Sequence, residues 1–75
     1  MEVTHENFES LVNDVKAGLK EFLIVTYYKT IPINAKCFER FESVGKTPIK
    51  RDGNGFRVYS GKSSVYILPG YLKAV

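Results

Sequence analysis

Two stretches of alternating residues in the C-terminal part of the chain flank the dipeptide Gly61-Lys62, and this pattern allows little other than a β-hairpin. Glycine at the first position of a two-residue loop favours a type II′ turn, which pairs Phe56–Ser60 with Ser63–Leu68. In that register one side of the hairpin carries Phe56, Val58, Val65 and Ile67, and the other carries Arg57, Tyr59, Ser64 and Tyr66. A shift of one residue would mix the two sets, so the register is well specified.

A preceding strand over 47–51, joined through a four-residue loop at 52–55, is predicted to extend this sheet. The pairing places Lys50 opposite Arg57 on the polar side. It also places Arg51 opposite Phe56, which is a less favourable position for a charge. The polar side of the predicted sheet carries Lys50, Arg57, Tyr59 and Tyr66, with Lys62 at the hairpin tip.

The first part of the chain predicts an amphipathic helix over about 5–17. Thr4 is the expected N-cap, and Gly18 is suited to the left-handed position after the last turn. One apolar stripe recurs at helical spacing: Phe8, Leu11, Val12, Val15 and Leu19. We therefore expect this stripe to face the core.

The segment Phe22–Tyr28 is rich in branched and aromatic residues and predicts an inner strand, after which Pro32 marks an exit. Asn34 is suited to cap a second helix that Gly45 ends, with Cys37, Phe38, Phe41 and Val44 on one face. Residues 1–75 are thus predicted to form a single small α+β domain of order α-β-α-β-β-β. Its two helices would pack on one face of a mostly antiparallel sheet.

Size and cysteine usage limit the classes of protein to which the chain can belong. The 75 residues suffice for one domain with marginal stability. The single cysteine, Cys37, rules out a disulfide framework and suits a reducing compartment, so a cytoplasmic location is expected. No apolar run is long enough to span a bilayer, and no membrane partner is expected. A homodimer remains an open alternative, because small domains without disulfides often oligomerise.

Charge is distributed unevenly along the chain. Residues 1–45 hold seven acids and five bases, whereas residues 46–75 hold six bases and one acid. Such asymmetry is typical of a face that binds a polyanion, although a basic surface also serves solubility alone.

The sequence contains no complete catalytic or metal-binding motif. Gly61-Lys62-Ser63 and Gly45-Lys46-Thr47 end like a phosphate-binding loop, but each lacks the earlier glycine and the strand-to-helix context. One histidine, His5, and one cysteine, Cys37, cannot close a zinc site. His5 is expected to be exposed in the first turn of the first helix, and Cys37 to be a small core residue. We predict a protein that is not an enzyme and needs no cofactor or metal.

Two kinds of ligand fit the polar side of the hairpin. Cations that alternate with tyrosines favour single-stranded nucleic acid, RNA ahead of DNA, because cations neutralise phosphates and tyrosine rings stack on unpaired bases. Exposed tyrosine and arginine are equally common at protein interfaces, so an inhibitor or regulator of a partner protein is the alternative. Such small basic chains are typical of accessory proteins of phages and mobile elements, although no motif supports that comparison. The predicted binding residues are Lys50, Arg51, Arg57, Tyr59, Lys62 and Tyr66.

Overall fold

The computed structural model describes all 75 residues and contains two helices and six strands. The helices are α1 (Phe8–Lys16) and α2 (Ala35–Glu42). The strands are β1 (Phe22–Val25), β2 (Thr30–Ile33), β3 (Ile49–Asp52), β4 (Gly55–Ser60), β5 (Ser63–Ile67) and β6 (Leu72–Ala74). They form two antiparallel three-stranded sheets, of order β2-β1-β6 and β3-β4-β5. The predicted α+β class is confirmed, with the strands divided between two sheets instead of one.

The register predicted for β4 and β5 is confirmed at every position, with Phe56 opposite Ile67 near the open end of the hairpin. Gly61 has a φ of +59° and the residue after it has a negative φ, as a type II′ turn requires. The register of β3 against β4 also matches the prediction. Asp52 pairs with Gly55, so the loop between these strands has two residues where four were predicted, and the register is unchanged.

A single strand was predicted over Phe22–Tyr28. Instead, β1 ends at Val25, and the chain turns and returns as β2, so that the two strands form a hairpin. Thr26 closes the turn, because its backbone N–H and its hydroxyl both donate to the carbonyl of Lys29, at 2.9 and 2.7 Å. Pro32 lies inside β2, where its missing N–H is tolerated because β2 is an edge strand. Placing β1 in the interior of a sheet was correct, since β6 pairs with its other side.

One core joins the two helices to both sheets. Phe8 of α1 lies 6.0 Å from Phe22 of β1 and 5.1 Å from Phe56 of β4, measured between ring centroids. Phe38 of α2 reaches the same cluster through Phe22, at 6.5 Å. The buried hydrophobic residues are Val3, Phe8, Leu11, Val15, Phe22, Ile24, Ile33, Phe38, Ile49, Phe56, Ile67, Leu72 and Ala74.

Three apolar residues that were expected to pack inward are exposed. Leu19 follows the Schellman turn at Gly18 (φ +80°) and is 74% exposed, while Val44 follows the end of α2. Val65 is 58% exposed, because the distal half of the β4–β5 hairpin extends beyond the helices that cover its base. The predicted apolar side of the hairpin is therefore buried only around Phe56 and Ile67, with Val58 half-buried.

The helix boundaries follow local capping. Helix α1 begins at Phe8, three residues later than predicted, because Thr4 accepts the N–H of Asn7 across a separate turn before the helix. Helix α2 is capped as predicted, since the side chain of Asn34 accepts the N–H of Cys37 at 3.2 Å.

Replacing Asn34 with alanine is expected to lower the free energy of unfolding by about 1 kcal/mol, because the first turn of α2 loses its side-chain acceptor. Urea denaturation of Asn34→Ala and Asn34→Asp measures the effect, since aspartate keeps an acceptor at the cap. Equal midpoints for the alanine variant and the wild type would show that the cap does not contribute.

Candidate nucleic-acid interface

The outward face of the β3-β4-β5 sheet divides into two parts, of which the first is a paired cluster. Arg57 donates through Nε to Asp52 at 2.7 Å and through Nη1 to Ser64 at 3.1 Å. Its guanidinium also lies over the ring of Tyr66, 5.8 Å from the centroid. The hydrogen bond that Arg57 donates to the Asp52 carboxylate raises the pKa of Arg57 above its ordinary value. We call Asp52, Arg57, Ser64 and Tyr66 the Arg57 cluster; its one cation is already paired with an acid.

Tyr66 also has a structural role at the end of the sheet. A Cβ atom added to Gly55 would lie 3.0 Å from the Tyr66 hydroxyl, so the tyrosine covers a glycine that leaves room for it. On the opposite side His5 Nε2 lies 2.8 Å from the Gly55 carbonyl oxygen, and its ring meets Phe56 edge-on at 5.1 Å. His5 is therefore half-buried in the turn before α1, and the expectation that it would be exposed in the helix was wrong.

The second part of this face is a basic depression at the hairpin tip. Lys50 Nζ lies 5.7 Å above the centroid of the Tyr59 ring. Lys46, from the segment after α2, and Lys62, from the β4–β5 turn, line the same open depression of about 530 Å³. The aromatic ring of Phe41 from α2 completes its wall. No acidic residue lines this depression.

Two adjoining depressions extend it. One, of about 270 Å³, shares Phe41, Lys46 and Gly61 with the first and adds Arg40. The other, of about 350 Å³, shares Phe41 and Gly61 and reaches the outer edge of β2 at Ile31. We define the basic groove as the depressions of about 530 Å³ and about 270 Å³ together. Its charged and aromatic side chains are Arg40, Phe41, Lys46, Lys50, Tyr59 and Lys62.

Ion pairing distinguishes the groove from the remaining surface. The chain has eleven Lys and Arg residues, and four of them make ion pairs: Lys16, Arg51, Arg57 and Lys73. Of the seven left without an acidic partner, four line the basic groove: Arg40, Lys46, Lys50 and Lys62. The groove therefore concentrates positive charge that the fold itself does not neutralise.

The structure brings only part of the predicted site together. Lys50, Tyr59 and Lys62 meet in the basic groove, whereas Arg57 and Tyr66 belong to the Arg57 cluster. Arg51 lies on the other side of the sheet, where it pairs with Glu9 of α1 at 3.2 Å and donates to the His5 carbonyl at 3.4 Å. The register already implied this position, since Arg51 is opposite the buried Phe56.

Three groove residues were not predicted from the sequence: Arg40, Phe41 and Lys46. Phe41 was placed on the apolar face of the second helix, and Lys46 was part of a phosphate-loop look-alike that was rejected. Gly45, which takes a φ of +74°, marks the turn after α2. No local pattern shows that the residue after it, Lys46, lies near the β4–β5 turn.

The side chains that could bind a metal are dispersed over the fold. No three His, Cys, Asp or Glu side chains come together in a group that could hold a metal ion. Cys37 is half-buried and accepts a weak hydrogen bond from Arg40 at 3.8 Å. Neither helix has the length and hydrophobicity needed to cross a bilayer.

Comparison of the chain with protein-family models, with curated proteins and with solved structures finds no match. A function must therefore follow from the chemistry of the surface itself.

Proposed function

We propose that this chain is a non-enzymatic protein that binds single-stranded nucleic acid in the basic groove. The observation that carries the proposal is the convergence of four cations without acidic partners on two aromatic rings, those of Phe41 and Tyr59. Cations bind the phosphate backbone, and exposed ring faces stack on bases that are not paired.

The form of the groove favours a single strand over a duplex. Its aromatic side chains line a depression, and bases inside a duplex are stacked on each other and unavailable to them. A helix that reads a major groove presents its exposed residues to DNA, but α2 exposes two acids: Glu39, which repels phosphates, and Glu42, which is paired with Lys16. The proposal therefore does not depend on a recognition helix.

The proposal predicts a strong dependence of affinity on salt concentration. If all four cations of the groove neutralise phosphates, the slope of log K against log salt for a single strand is about −2.8. Raising salt from about 50 to about 200 mM would then weaken binding roughly 50-fold. Fluorescence anisotropy with a labelled uridine dodecamer measures the slope, and the corresponding DNA strand and a duplex of equal length serve as comparisons. A slope near zero would contradict the proposal, as would tighter binding of the duplex.

A second candidate, binding of a protein, is favoured by one observation. The depression that adjoins the basic groove is lined by six hydrophobic residues, among them Ile31, Ile33 and Val58. An apolar strip bordered by cations is also suited to an acidic peptide or to a second copy of this chain. Such a complex would form in the presence of nuclease and would weaken less with salt.

A further inference from the structure

The turn between β1 and β2 presents two tyrosines that take no part in the core. The side chains of Tyr27 and Tyr28 are 99% and 78% exposed. Their ring centroids lie 6.3 Å apart with the planes at 79°, and Lys29 Nζ lies 6.0 Å from the centroid of Tyr28. Lys29 has no acidic partner. We call Tyr27, Tyr28 and Lys29 the tyrosine tip.

The tyrosine tip is held by a structured turn. Thr26 and Lys29 are joined by three hydrogen bonds, which use the backbone and the hydroxyl of Thr26. The strands on both sides of this turn pair regularly from Val25 and Thr30 onward. The backbone that carries the two rings is therefore held in place, so little backbone entropy is lost when they contact a ligand.

Strand β2 connects the tyrosine tip to a depression that adjoins the basic groove. Strand β2 begins directly after Lys29, and its residues Ile31 and Pro32 line the depression that shares Phe41 and Tyr59 with the basic groove. At about 3.3 Å per residue, Ile31 is roughly 10 Å along the chain from Tyr28. A ligand that leaves the groove along β2 therefore arrives at the tip.

We infer that the tyrosine tip is a second contact for the same nucleic-acid strand, with its rings stacking on bases and Lys29 pairing with a phosphate. This inference rests on the proposed function of the basic groove. It adds a length requirement, because a strand must extend beyond the groove along β2 to touch both places. The longest dimension of the protein, 30 Å, limits the strand that can lie across it to roughly nine nucleotides at about 3.4 Å per stacked nucleotide.

A comparison of short and long strands tests the inference. Wild type, Tyr27→Ala/Tyr28→Ala and Lys46→Ala/Lys62→Ala are titrated against uridine tetramers and dodecamers. We expect the tyrosine variant to bind the dodecamer roughly tenfold more weakly than wild type, because stacking is lost, and the tetramer almost equally. Two controls accompany it: Tyr27→Phe/Tyr28→Phe keeps both ring faces, and Tyr71→Ala removes another exposed tyrosine, which lines neither depression. Both should bind like wild type.

The outcomes separate the inference from the proposed function. If the lysine variant loses affinity and the tyrosine variant binds the dodecamer like wild type, the groove is supported and the tip contact is wrong. If wild type binds neither strand, both proposals fail together. Sedimentation of the wild type and of the tyrosine variant covers a further alternative: a dimer that dissociates when the tyrosines are removed would make the tip a self-association surface and would overturn the inference.

Discussion

Replacing Gly55 with alanine is expected to lower the free energy of unfolding by about 3 kcal/mol, the upper part of the range for inserting atoms into a packed site. The new methyl group would overlap the backbone carbonyl oxygen of Ile67 and press on the Tyr66 ring. Neither neighbour can move freely, because Ile67 pairs with Phe56 in the core and Arg57 lies over the Tyr66 ring. A domain of this length has a total stability of roughly 4–11 kcal/mol, so the loss would be a large part of it.

Gly70→Ala is the matched control for this change. No atom lies within 4 Å of a Cβ built on Gly70, and its φ is not in the left-handed region, so alanine should be accommodated. Urea denaturation of the two variants gives the comparison, and the midpoint should fall for Gly55→Ala only. Equal midpoints would mean that the close approach of β5 to Gly55 is not a constraint in solution.

The second large effect is expected in binding. Removing two of the four cations of the basic groove in Lys46→Ala/Lys62→Ala should reduce the slope of log K against log salt from about −2.8 to about −1.4. At low salt the affinity for a uridine dodecamer should fall more than tenfold, because two phosphate contacts are lost. The loss should be the same for every sequence, since phosphate contacts do not read bases. Anisotropy titrations at several salt concentrations measure both quantities. Neither lysine is buried or ion-paired, so the fold should be retained.

Lys20→Ala/Lys36→Ala is the charge-matched control. Both lysines lack acidic partners, and both line a depression formed with Asn34 and Glu21 away from the basic groove. The two double variants carry the same net charge, so any effect of total charge is equal in both. If the two pairs of substitutions weaken binding equally, the ligand responds to overall charge and the groove is not its site.

The C-terminal sheet could be predicted in detail because its information is local. The turn at Gly61 fixes which residues pair, and alternation then assigns each side chain to a face. The same argument gave the position of Arg51, although the charge of that residue led to its inclusion among the binding residues. Register alone would have excluded it, since it lies opposite Phe56.

The remaining features depend on contacts between distant segments. The apolar run from Phe22 does not reveal a turn at Thr26, because the hydrogen bonds that close it involve a residue type that is common in strands. Likewise, no local pattern shows that the C-terminal end of α2 reaches the β4–β5 turn. The basic groove was therefore visible only in part, through the two β-sheet residues Lys50 and Tyr59 and the turn residue Lys62.

The pairing of β1 with β6 has a consequence for the order of folding. Ile24 finds its partner Leu72 only near the other end of this sequence, whereas β3, β4 and β5 pair within one short segment. Loop closure over so many residues is slow, so the β3-β4-β5 sheet should form first and β1 should pair with β6 later. During synthesis the side of β1 that later meets β6 remains open to other chains until β6 has left the ribosome. This protein should therefore be most prone to misassembly early in its lifetime, before its own chain has completed the sheet.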